Sequence, residues 1–145
     1  MSLFIYRLMF DFGLLVLIWI VQLVIYPSFR HYSKKNLIGW HIRYTTQFTY
    51  IVLPLMLGQL IISIFQFKVI DSQPMAQYVE LSLLLIISLW ISTFLQFVPI
   101  HNKIANGNFD DELLLRLIKK NWIRTILWTF LFCFSLIYGV YHFPH

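Results

Sequence analysis

The sequence predicts an all-α fold: an integral membrane four-helix bundle in up-down-up-down order, with an amphipathic interfacial helix before the last span. Three observations carry this. Of 145 residues, 59% are hydrophobic and only 12% charged, about half the charge that a water-facing domain carries. The hydrophobic residues collect in four long runs separated by short polar connections. Finally, Lys and Arg are concentrated in two of those connections, as in the loops of membrane proteins.

The first span runs over 3–26, enough residues at 1.5 Å each to cross a hydrocarbon layer of ~30 Å. Arg7 and Asp11, four apart, share a helical face and can neutralise each other. Pro27 is expected to end this helix. No basic leader precedes the run and no small-residue cleavage site follows it, so the segment is expected to be retained. After a polar stretch in which Asn36 is a candidate cap, the second span covers 39–67. It begins with His41, Arg43, Tyr44, Thr45, Thr46, Gln47 and Thr49 and continues almost wholly apolar, with Pro54 tolerated inside.

The third span covers 75–98. Ser88, Ser92 and Gln96 recur at fourfold spacing, a pattern expected to pack helices closely, and Pro99 is expected to end the span. Asn108 and the acids that follow it mark a helix start. Residues 109–120 then read as an interfacial amphipathic helix leading into the fourth span, 121–141. One membrane domain thus accounts for residues 1–145.

Residues 27–43 hold four Lys/Arg and residues 99–124 hold five, leaving Arg7 and Lys68 elsewhere. The positive-inside rule makes those two regions cytoplasmic and both termini external, with a bacterial inner membrane as the location. The net charge of +5 is better matched to anionic lipid than to nucleic acid, because no basic block is interleaved with polar groups. A single cysteine, Cys133, lies in an apolar run and reads as filler.

With this topology the inner helix ends lie at one depth. They bring together Gln22 and Tyr26; His41, Tyr44 and Gln47; Gln96 and His101; and Asn121, Arg124 and Trp128. Glutamines inside hydrocarbon cost free energy without partners, so the gathering is read as a pocket. His41, His101 and Arg124 are the candidate catalytic groups. Gln22, Tyr26, Tyr44, Gln47, Gln96, Asn121 and Trp128 are the candidate lining. Taken singly, each histidine also fits an ordinary anchoring role at the interface. The outer ends carry Arg7, Asp11, Glu80 and His142, read as a small charge network tying the helices.

Several chemistries lack their signatures. There is no Glu-x-x-His pair for a di-iron bundle, no H-E-x-x-H, no nucleophile elbow and no phosphate-binding loop. No acids run through the membrane centre as a proton pump would need. Bis-histidine haem through His41 and His101 remains chemically allowed, as does a quinone or other aromatic ligand.

The elements Gln22-x-x-x-Tyr26-Pro27-x-Phe29, His41-x-x-Tyr44, Pro54-x-Met56, Val98-Pro99-x-His101 and Asn121-Trp122-x-Arg124-Thr125 resemble small bacterial four-span membrane proteins of uncharacterised function. Those relatives often carry an acid after Pro-x-Met, where this chain has Leu57-Gly58-Gln59. In outline the chain is also similar to anthrone-oxygenase-like membrane proteins, matched at Trp122 and Arg124, and to membrane-type protoporphyrinogen oxidase, matched around Tyr26-Pro27 and Pro54-x-Met56. The resemblance implies redox chemistry on flat apolar molecules. The expected function is therefore binding of a haem, quinone or aromatic apolar ligand, with an oxidoreductase as its extension. A non-catalytic scaffold or accessory subunit of a homo-oligomer or larger membrane complex is the alternative.

Overall fold

A computed structural model of the chain describes residues 2–142. Four helices long and apolar enough to cross a membrane fill it: α1 (Leu3–His31), α2 (Lys34–Lys68), α3 (Gln73–Ala105) and α4 (Asp111–His142). Each packs antiparallel to its neighbours, with α1 and α3 both wedged between α2 and α4. The α1–α4 register is fixed by Phe12 against Phe132, the Trp19 indole donating to Thr129, and Asn121 donating to Gln22. Large apolar side chains such as Leu84, Leu95, Ile123 and Ile126 are more than half exposed around the outside. That surface suits a bilayer as solvent, and the chain is a multi-pass membrane protein.

Two prolines expected to end helices do not. Pro27 and Pro99 are each preceded by a π-helical turn, Val21–Ile25 in α1 and Thr93–Phe97 in α3, and helix continues beyond both. Tyr26 N–H reaches back to Val21 O, and Val98 N–H to Thr93 O, one residue farther than in an α-helix. The wider turn makes room for a ring that would otherwise meet the carbonyl four residues earlier, and for its missing donor. α3 therefore runs on through His101 to Ala105. There it stops in a Schellman cap, with Gly107 at φ 74°, its N–H on Ile104 O, and Asn108 N–H on Lys103 O.

The predicted interfacial helix and fourth span form one uninterrupted helix, α4. Its cap is Asp110, whose carboxylate accepts Leu113 N–H at 2.8 Å, rather than Asn108, which lies two residues too early. Nor does Asn36 cap α2, which already begins at Lys34 after Ser33. The Ser88–Ser92–Gln96 stripe is not a packing seam. Ser88 and Gln96 are exposed, and the Ser88 hydroxyl bonds its own helix at Leu84 O. Close approach occurs instead at Gly58 and Gly139, where an added Cβ would run into the rings of Phe10 and Phe4. Cys133 faces outward rather than filling the core.

Among the described residues the interior has two apolar clusters. One, near the α1–α2 turn, contains Phe29, Leu37, Phe97, Ile104, Leu114 and Leu117. The other crosses the middle with Leu14, Ile18, Ile86, Leu89, Trp128 and Leu131. A polar layer lies between them, and a second lies near the α2–α3 turn.

Candidate functional site

The first polar layer is built where both π turns fall. By widening one turn of α1 and one of α3, they reset which side chains face inward, and Gln22 and Phe97 become buried within them. Tyr26 follows directly and is 3% exposed. Its hydroxyl meets His101 Nε2 at 3.0 Å, and His101 Nδ1 meets His41 Nε2 at 2.8 Å. Three elements thus contribute one hydrogen-bonded chain, Tyr26–His101–His41, walled by Phe29 edge-on to His41. The chain can be written in two directions, because each neutral imidazole carries one proton and accepts through its other nitrogen. In either direction the far nitrogen, His41 Nδ1, is buried and has no partner among the described residues.

Arg124 stands beside this chain, 9% exposed. Its Nη1 donates to Asn121 Oδ1 at 3.4 Å and its Nη2 to Thr93 Oγ1 at 3.3 Å, both long. Its guanidinium carbon lies 4.3 Å from the centre of the Phe97 ring, a cation–π contact. Among the described residues its Nε has no partner, and no carboxylate is within ion-pair distance of it.

These groups border a cavity of about 320 Å³ lined by Tyr26, His41, Tyr44, Phe97, His101 and Arg124, with Phe48, Val52 and Met56 on its apolar side. Five predicted site residues are therefore brought to one cavity: Tyr26, His41, Tyr44, His101 and Arg124. Asn121 and Gln22 lie behind the arginine, buried and bonded to each other at 2.9 Å. Trp128 lines a void of about 40 Å³ that also borders Tyr26 and Arg124. Gln47 and Gln96 do not join the site, since both are exposed. The α2 side chains that turn inward beside them are Tyr44 and Phe48, and the π turn places Phe97 inward in α3, so these two amides fall on the outer surface.

Sequence reasoning passed over Phe97, Thr93 and Met56 as site residues; Pro99, two residues after Phe97, is the feature that the π turn accommodates. Bis-histidine haem does not fit this arrangement. Axial ligation needs both nitrogens aimed at one iron with the macrocycle between the rings. Here the two nitrogens contact each other directly, and the rings lie 5.0 Å apart at 28°.

Behind Arg124, the Gln22 carboxamide accepts from Asn121 and reaches Ile118 O. Gln22→Leu should leave the buried Asn121 amide short of an acceptor and cost about 1–3 kcal/mol. Thermal unfolding in detergent checks this. The Gln22→Leu/Asn121→Leu double variant should lose less than the two single losses combined.

The second polar layer was only partly legible in the sequence. Arg7 and Asp11 form a fully buried ion pair at 2.8 Å. Ser63 accepts from Arg7 at 2.7 Å, while Gln59 and Ser135 donate to Asp11. Tyr78 bonds Ser135 at 2.9 Å, so all four helices meet here. Glu80 and His142, expected in this network, are exposed and stand outside it. The residues that replace them, Gln59, Ser63 and Gln66, recur at i, i+4 and i+7 in a stretch of α2 that is otherwise apolar.

Fold and site together define a four-helix multi-pass membrane protein with a mainly apolar, partly polar cavity toward one end of the bundle. Compared with protein families, curated proteins and solved structures, the chain finds no match.

Proposed function

We propose that the cavity binds a flat, largely apolar molecule with a carbonyl or anionic head, of the quinone or related aromatic class. One observation carries the reading. Two buried polar atoms without partners among the described residues, Arg124 Nε and His41 Nδ1, belong to side chains that line the same cavity. A buried cation with no counter-charge and a buried imidazole nitrogen with no partner are both costly in a folded chain. An electron-rich oxygen between these walls offsets that cost. The guanidinium supplies a charge-assisted hydrogen bond, and Phe97, Tyr44 and Phe48 supply ring faces for an aromatic body.

In this reading the Tyr26–His101–His41 chain moves a proton to or from the bound oxygen. When His41 Nδ1 gives its proton to the bound oxygen, one proton shifts across each of the two hydrogen bonds and Tyr26 is left as the phenolate, beside Arg124 in the cavity wall. Arg124 orients the head. The placement in a bacterial inner membrane with these ends toward the cytoplasm belongs to the same proposal and rests on the distribution of Lys and Arg.

The test is a titration of decylubiquinone into detergent-purified protein, followed by tryptophan fluorescence, since Trp128 borders the adjoining void. Saturable quenching is expected. In His101→Leu, which strands both Tyr26 and His41, the affinity should fall about tenfold to a hundredfold, the equivalent of one or two lost hydrogen bonds. Unsaturable quenching that is identical in both proteins sinks the proposal and leaves the scaffold reading.

A further inference from the structure

The walls of this cavity differ sharply in how they are closed. Toward the α1–α2 turn, it is sealed by the apolar cluster of Phe29, Leu37, Ile104, Leu114 and Leu117, none of them more than 4% exposed. Toward the other end, it meets the middle cluster at Met56, a cluster in which Ile86, Leu89 and Leu131 are fully buried. On the α1 and α4 sides the lining residues are Tyr26 and Arg124, both buried. The exposed lining residues are Thr49 from α2 and Val98 and Asn102 from α3, flanked by half-buried Thr45, Val52 and Ala105 from the same two helices.

The opening therefore lies in the seam between α2 and α3, on the side of the bundle. Its depth follows from helix rise. Asn102 is three residues from the end of α3, roughly 5 Å along the axis, whereas Thr49 lies six residues beyond Arg43, roughly 9 Å past the last charged side chain before the largely apolar run 50–67. The mouth thus extends from the polar end of the bundle to the edge of its apolar run. At its inner edge the exposed neighbours are Ile51 and Leu53 of α2 and Phe94 and Leu95 of α3, and lipid chains are what such a surface faces.

From this we infer that the ligand reaches the site sideways, from the leaflet at the histidine end, through a portal between α2 and α3. The substrate class narrows accordingly, from any flat aromatic to a membrane-dissolved amphiphile. Its head lies on Arg124 and His41, and its apolar tail leaves past Thr49 and Val98. The inference rests on the proposed function and adds the route and the tail.

The experiment reads the rate of uptake. Protein in phosphatidylcholine vesicles is mixed with vesicles carrying ubiquinone-10, and quenching is followed in time. Val98→Trp, which fills the portal, should slow quenching at least about tenfold. Ile126→Trp on the exposed face of α4, away from the seam, should leave the rate as it was. To remove dependence on how Val98→Trp folds, a Cys133→Ser/Val98→Cys protein is reconstituted first and then capped with a bulky maleimide. Uptake should slow on capping, with the uncapped sample as control. Equal rates before and after capping, or equal slowing in Ile126→Trp, overturn the portal while leaving binding intact. No saturable quenching in the unaltered protein overturns the portal and the binding proposal together.

Discussion

Arg7→Leu is expected to destabilise the bundle by about 3–5 kcal/mol. The side chain is 0% exposed and holds Asp11 through Nε at 2.8 and 3.0 Å, with Nη1 on Ser63. Removing it leaves a carboxylate in the interior with, among the described residues, Gln59 and Ser135 to stabilise its charge. The charge must then be borne in a low-dielectric layer or removed by taking up a proton, and both routes cost stability. The Arg7→Leu/Asp11→Leu double variant should recover most of the loss, because an apolar replacement of a whole buried pair is often neutral. Unfolding by SDS titration in mixed micelles measures both. A double variant as unstable as the single one would mean that the loss comes from packing rather than charge.

Arg124→Met should behave in the opposite way. It should change stability by less than about 1 kcal/mol, yet lower affinity for decylubiquinone about tenfold to a hundredfold. Among the described residues this arginine has no carboxylate partner, two long hydrogen bonds and an unpartnered Nε. Its loss removes a buried charge instead of exposing one; Thr93 keeps its own bond to Leu89 O, and the Asn121 oxygen gives up only a long contact of 3.4 Å. What disappears is a charge-assisted contact to the ligand head, worth about 1.5–3 kcal/mol. The same unfolding assay and the fluorescence titration check the two halves. A large loss of stability with unchanged affinity would make Arg124 a packing residue and take away the main support for the binding proposal.

The contrast between these two arginines was only half legible in the chain. Arg7 and Asp11 announce each other by their spacing, since four residues on a helix place two side chains on one face. That Arg124 lacks a counter-charge among the described residues depends on what the other three helices bring to its level, and local sequence does not state this. The histidines were marked out by type and by their positions near helix ends. Their direct contact follows from a helix that does not stop at Pro99, and so from a π turn that the proline rule alone does not foresee. Gln47 and Gln96 illustrate the same limit. Amides are expensive in hydrocarbon, so they suggested an inward direction, but orientation about a helix axis is set by packing and by the inserted residue of a π turn.

Composition and the length of the apolar runs determined the class by themselves, because crossing a hydrocarbon layer needs about twenty apolar residues and every backbone group satisfied within a helix. They also determined the number of helices and, through the short connections, their antiparallel order. Tertiary structure alone decided which polar groups meet, which remain unpartnered, and where the cavity opens. Those outcomes depend on axial rotation and register between helices, which arise from contacts summed over the whole bundle and are encoded in no single stretch of it.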